Sequence, residues 1–200
     1  MAARSDEDIV RAVRNGRTEA FADLVDRHKD GVYGTLMRLT ADTQLAEELA
    51  HETFVRAFRS LKNFRGESRF GTWLTRIAIN LARDNVRERR RDRTVSLDAA
   101  LERDPDSPAF AEQRPHGDPL SQADSSDMFG RFEGLLQELP PSYREAFVLH
   151  HVEDMPYEDI AVLTGDSVGS LKVRAHRARK LLRERLFPEA NHTHPEDVVG

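Results

Sequence analysis

The chain has 200 residues, no cysteine and a formal net charge of −5. Its length allows one large or two small domains, and the lack of cysteine excludes disulfides, thiolate metal sites and thiol redox chemistry. No apolar run approaches the roughly 20 residues of a membrane helix, and the opening MAARSDEDIV lacks the apolar stretch of a secretory signal, so a cytoplasmic protein without membrane insertion is expected.

Nearly every periodic segment reads as helix, and none alternates convincingly as a strand. Ser5 followed by Asp8 resembles a capping box ahead of Ile9, Val10 and Val13. Thr18 is the expected cap of a second helix carrying Phe21, Leu24, Val25, Val32 and Leu36 at helical spacings. A third helix holds Leu45, Leu49, Phe54, Phe58 and Leu61 along its apolar side. KNFRGESRFG, residues 62–71, breaks the period at Gly66 and Gly71 and reads as a loop. A fourth helix is predicted from Thr72, with Trp73, Ile77 and Leu81 on one stripe.

The charge then changes in blocks. Residues 85–93, NVRERRRDR, carry five Arg against two acids, whereas residues 94–127 carry eight acids against two Arg, together with Pro105, Pro108, Pro115 and Pro119. A structureless stretch of that length does not fit inside a compact domain, so it is expected to be a flexible, charge-extended linker. The second domain is expected from Met128, with Phe132, Leu135, Leu136 and Leu139 ahead of a Pro-Pro break. Ser142 and Glu145 match a further capping box, Pro156 and Gly165 bracket a short helix, and Ser167 is placed to cap the last one.

That last segment, VGSLKVRAHRARKLLRERL (168–186), holds seven Lys/Arg and one Glu. At about 100° per residue, Val168, Leu171, Ala175, Ala178 and Leu182 share one stripe. Lys172, His176, Arg179 and Arg183 form the adjacent stripe, with Arg177 and Lys180 further round. Charge runs usually mark a solvated face. Here acidic i±4 partners are almost absent, and the basic helix follows a short helix across a capped turn, the helix-turn-helix layout whose second helix enters the major groove. Lys172, Arg174, His176 and Arg177 are the base-readout candidates, while Arg179, Lys180 and Arg183 are expected on phosphates.

MPYEDIAVLTGDSVGSLKVRAHRARKLLRERL resembles region 4 of bacterial RNA polymerase sigma factors of the extracytoplasmic-function group. LAEELAHETFVRAFRSLKNFRGESRFGTWLTRIAINLARDNVRERRR is similar to their region 2. The resemblance implies an all-α chain of two small helical domains, 1–93 as region 2 and 128–187 as the region 4 helix-turn-helix, joined by the linker 94–127; outside the resemblance, the polar segment 188–200 reads as a disordered tail. It further implies that Glu47, Glu48, His51, Glu52 and Arg56 face core RNA polymerase. Phe64, Arg65, Phe70, Arg76, Asn80, Arg83 and Arg87 match the reader of the minus-ten promoter element. An opened base needs aromatic surface and nearby cations, although Trp73, and at least one of the two Phe residues, is better read as core. Lys172, His176 and Arg177 match positions that read the minus-35 element. Where the family usually carries Asp, Gln, a small hydroxyl residue and an apolar residue, this chain has Leu45, His51, Val173 and Asp166, the last read as a cap. Promoter DNA and an anti-sigma factor are the other implied partners; no cofactor, metal or catalytic residue is implied.

Two rivals are weaker. Glu48 and His51 fit the Glu-x-x-His spacing of di-iron bundles, but the only other match, Glu189 to His192, follows Pro188 in a polar segment. A stand-alone repressor or activator would bind duplex DNA without polymerase. The promoter sequence, the inducing signal and the identity of the anti-sigma factor are not written in the sequence.

Overall fold

The computed structural model describes residues 4–93 and 125–188. The expected linker up to residue 124, and the tail beyond 188, lie outside them. Among the described residues there are eight α-helices and no strand, so the all-α expectation stands.

Helix α1 (Asp6–Arg14) starts as its sequence demands. The Ser5 hydroxyl accepts from the Asp8 backbone N–H at 3.2 Å, and Asp6, Glu7 and Asp8 place negative charge at the positive end of the helix dipole. Thr18 does not cap the next helix; it opens a 3-10 turn (Thr18–Ala20), and α2 (Phe21–Thr40) begins with no side-chain cap bond. Helix α3 (Thr43–Ser60) has a cap that the sequence reading missed: the Asp42 carboxylate accepts from the Leu45 N–H at 3.1 Å. Helix α4 spans Phe70–Arg93, starting slightly earlier than expected.

Helices α2, α3 and α4 pack around Leu24, Leu36, Leu45, Ala46, Leu49, Ala57, Leu74 and Ala78, with α1 covering one end through Ile9, Val10 and Val13. Burying each large aliphatic side chain here contributes roughly 1.5–3 kcal/mol. Phe58 departs from its expected core position: 42% of it is exposed, and it meets Phe21 edge-on at 5.1 Å.

In the second half, α5 (Ser125–Gln137) begins inside the expected linker, so residues 125–127 are helical. Helix α6 (Pro141–Phe147) is started by Pro141 in its first turn, where the missing N–H costs nothing. Ser142 therefore lies inside that turn and makes no cap bond, which corrects the expected capping box. The chain next widens into a π turn, Val148–Val152, carrying His150 and His151. Helix α7 (Tyr157–Thr164) ends on Gly165 at φ +76°, left-handed backbone that glycine adopts without a Cβ clash. Ser167 caps α8 (Val168–Leu186) by accepting from the Ser170 N–H at 3.2 Å. Leu171, Ala175, Ala178 and Leu182 are buried, as the stripe predicts; Val168 is only half-buried. The two small alanines let α8 lie close to α6, its main packing partner.

Candidate functional site

On α8 the seven predicted DNA residues fall into two sets. Lys172, His176, Arg179, Lys180 and Arg183 are exposed along the helix. The Lys172 ammonium lies 5.7 Å from the Tyr157 ring centre, over an aromatic face that favours a cation. Tyr157 in turn stacks on His150 at 3.8 Å, a contact the sequence reading did not foresee. Arg174 and Arg177 point elsewhere. Arg174 donates to the Asp166 carboxylate at 2.9 Å, and Arg177 donates to the Tyr143 hydroxyl at 3.1 Å; both are half-buried. Asp166 is thus not a helix cap but the anion that pins Arg174 across the turn. The exposed row is therefore the cationic face of α8.

The loop before α4 is held from below. The Arg14 guanidinium donates to the carbonyls of Leu61, Lys62 and Phe64. This turns Phe64 inward, where it, Phe70 and Trp73 form an aromatic cluster with centroid separations of 5.0–5.9 Å. Phe64 and Phe70 are 6% and 2% exposed. Neither offers a face to a base, which corrects their expected stacking role: the same aromatic residues are consumed in supporting the loop. Arg65, Asn80 and Arg87 remain exposed.

Arg76 and Arg83 are engaged by the second half of the chain. Arg76 donates to the Asp159 carboxylate at 2.6 Å. Arg83 donates to the Leu163 and Thr164 carbonyls at 2.7 and 2.8 Å, with the Glu145 carboxylate 3.3 Å from its Nε. Between them Ile79, fully buried, packs into Ala146, Leu149, Met155, Ile160, Leu171 and Ala175. Elsewhere along the same seam, Arg38 makes two bonds to the Glu133 carboxylate at 2.9 and 2.7 Å. Buried Arg144 donates to the Leu39 carbonyl at 3.3 Å, and its burial lowers its proton affinity from the usual guanidinium value. The acidic first turn of α7, Glu158 and Asp159, was the available signal for this seam, but its partner lies 83 residues away.

Helix α3 carries the third group. Glu47, Glu48, His51 and Arg56 are exposed and Glu52 half-exposed. The Arg56 guanidinium donates to the Glu52 carboxylate at 2.8 Å, and that bond holds the carboxyl below its ordinary range. Beside this polar face runs a groove of about 520 Å³ lined by Phe21, Val25, His51, Phe54, Val55, Phe58 and Arg59. Half-open apolar side chains next to charged ones make a surface that can bury area against a protein partner. Among the described residues no helix is long and apolar enough to cross a membrane.

Known proteins resemble this chain in sequence and in fold. The sigma-70 region 2 family matches residues 24–92, and the sigma-70 region 4 family matches residues 129–182. The RNA polymerase sigma-H factor of Pseudomonas aeruginosa is 34% identical over 92% of this chain and 94% of its own. The extracytoplasmic-function (ECF) RNA polymerase sigma factor SigW of Bacillus subtilis is 31% identical over 88% and 94%. CarQ, an RNA polymerase sigma factor of Myxococcus xanthus, is 39% identical over 86% and 92%. Among solved structures, the sigma factor RpoE in complex with the anti-sigma factor NepR from Bartonella quintana shares the fold, with a TM-score of 0.58 at 23% identity over 84% of this chain and 97% of its own. So does CnrH in complex with the cytosolic domain of CnrY, at 0.56 and 24% over 93% and 99%. The chain belongs to the ECF group of sigma-70 RNA polymerase sigma factors, promoter-recognition subunits that perform no covalent catalysis themselves.

Proposed function

We propose that residues 1–93 and 128–187 act as two separate readers of one promoter, joined by the acidic segment 94–127. In this reading α8 lies in the major groove of the minus-35 element. Lys172 and His176 stand closest to the N-terminal end that reaches bases, and Arg179, Lys180 and Arg183 hold phosphates. Arg65, Arg76, Asn80, Arg83 and Arg87 hold the opened minus-ten strand through its backbone and base edges, with no stack on Phe64 or Phe70. Glu47, Glu48, His51, Glu52 and Arg56 meet core RNA polymerase, and the groove beside them adds apolar area. The acidic segment follows a path through the polymerase normally taken by nucleic acid, and an anti-sigma factor covers these surfaces until a signal removes it.

The observation that carries this reading is the exposed cation row on α8 behind a capped helix-turn-helix turn. An ordinary surface helix of this length mixes its charges; this one concentrates positive charge where a groove-binding helix needs it. Run-off transcription with core polymerase on a randomised promoter library tests it. The expected result is initiation from a defined pair of elements only when both proteins are present. Failure of the purified chain to associate with core polymerase at low salt refutes it.

A further inference from the structure

One aromatic ring links the π turn to the first base-readout candidate on α8. Tyr157 opens α7, directly after Pro156 at its N-cap. The π turn brings His150 against it, and the two rings stack with centres 3.8 Å apart and planes at 26°. His150 is itself held, with Nδ1 2.9 Å from the Met155 carbonyl oxygen. A carbonyl only accepts, so Nδ1 carries the proton and a directional bond sets the imidazole. Tyr157 is half-buried and packs on the core that contains Leu149, Met155, Ile160 and Leu171. The ring is thus fixed before any ligand arrives. The Lys172 ammonium lies over it, 5.7 Å from its centre, within the range at which an aromatic face attracts a cation.

We infer that Tyr157 is a positioning residue for sequence readout: its ring holds the Lys172 side chain where it meets a base edge rather than a phosphate. The inference rests on the α8 reading under Proposed function. A free lysine is a point charge on a flexible stem. It swings as readily to a phosphate, a contact that carries no sequence information. Ordering such a side chain on DNA also costs rotamer entropy, and a ring that already holds it lowers that cost. The kind of restraint matters. Arg174 is held by the Asp166 carboxylate at 2.9 Å, which engages its donors and offsets its charge. An aromatic face restrains an ammonium without neutralising it. The N–H donors of Lys172 stay available for acceptors on a base, such as guanine O6 and N7. His150 acts one step behind, by fixing the ring.

The DNA for the test is the minus-35 sequence that the holoenzyme selects from the randomised promoter library, with its single-base variants. Holoenzyme binding to each gives the preference at every base pair, and binding to an unrelated duplex gives the sequence-independent affinity. Lys172→Ala should lower the preference at one pair by about tenfold, the effect of losing one good base contact. Tyr157→Leu should lower it at the same pair by about threefold, the factor an exposed cation–aromatic contact supplies. Its affinity for the unrelated duplex should not change. Tyr157→Phe keeps the ring face and should match the parent. Adding Tyr157→Leu to Lys172→Ala should cost nothing further. Phenylalanine with increasing ring fluorination at position 157 keeps the shape and weakens the attraction of the face for a cation. Preference should fall stepwise along that series while the melting temperature holds, and the series decides the matter if Tyr157→Leu does not fold.

Equal losses in Tyr157→Phe and Tyr157→Leu overturn the inference, because the hydroxyl and not the ring face would then be acting. A flat fluorine series overturns it too, as does a gain in preference with Tyr157→Leu, which would mean that the ring holds the lysine back. A parallel fall in specific and unrelated-duplex affinity reduces Tyr157 to a structural part and is equally fatal. If Lys172→Ala still lowers the preference in any of these cases, the α8 reading survives. If neither Lys172→Ala nor Tyr157→Leu alters any base preference, the α8 reading falls and the positioning role with it.

Discussion

Arg174 and Arg179 stand on one helix, and the structure predicts opposite consequences for their loss. Arg174 is tied to Asp166 at 2.9 Å, with 28% and 29% of the two side chains exposed. A hydrogen bond between charged groups contributes about 1.5–3 kcal/mol when shielded, and partial exposure reduces that to about 1 kcal/mol. Arg174→Ala should therefore lower the melting temperature by about 2–4 °C, through an uncompensated Asp166 carboxylate at the turn. Its effect on initiation should be small once the protein is folded. Arg179 is exposed, so Arg179→Ala should leave stability within about 0.5 kcal/mol. If Arg179 holds a phosphate, its loss removes one released counterion and reduces the slope of log affinity against log salt by about 0.9. Melting by circular dichroism gives the first quantity; promoter binding by the holoenzyme over a potassium chloride series gives the second. An unchanged slope in Arg179→Ala, with a reduced slope and unchanged melting in Arg174→Ala, would refute the division into pinned and free cations.

Phe64→Leu should retain open-complex formation, read by permanganate reactivity of the promoter, while lowering the melting temperature, because the ring supports the loop rather than a base; loss of opening in a variant that melts like the parent would restore the stacking role. His151 gives a pH dependence of definite sign. Burial first, then the neighbouring His150 and Arg179 charges, pulls its imidazole below the usual histidine range. The unfolded chain thus takes up a proton at a pH where the folded chain does not, so stability is intact above about pH 6.5 and declines as pH falls through the folded value. His151→Gln should flatten the melting temperature between about pH 7.5 and about pH 5.5; an unaltered slope places the acid sensitivity elsewhere.

Features decided within one turn of chain were legible in the sequence. Ser5 and Ser167 act where local pattern put them, because N-capping needs only a side-chain acceptor and a backbone N–H three residues on, and Gly165 ends α7 because glycine takes left-handed backbone without a Cβ clash. The α8 charge stripe was legible because helical period alone separates it from the buried stripe. Thr18 and Ser142 show the limit of the same reasoning. Each resembles a cap, yet a 3-10 turn intervenes after Thr18, and Pro141 fixes the start of α6 ahead of Ser142. The inward turn of Phe64 was not legible, since it depends on Arg14, 50 residues away, closing on the loop carbonyls. Nor was the choice of Asp159 and Glu145 as partners for α4, because composition shows that a cation will find an anion and not which one.

The charge balance ties these observations to how an acidic chain contacts DNA. Net charge governs repulsion at long range, but at physiological salt the Debye length is about 8 Å, close to the width of one helix face. Within that distance a duplex lying on α8, as proposed, would meet its cation row and not the chain's total of −5. The acids that produce the negative total are not spread evenly over that row: Lys180 has Glu184 at 3.9 Å, while Glu133, Glu145 and Asp159 are directed at α2 and α4. The two cationic helices are therefore electrostatically unequal in the free chain: α8 presents its charge, and α4 has part of its own neutralised from within. Equal treatment of every Lys and Arg would predict two equivalent cationic surfaces; the pairing of Arg76 and Arg83 predicts that α8 presents the stronger field.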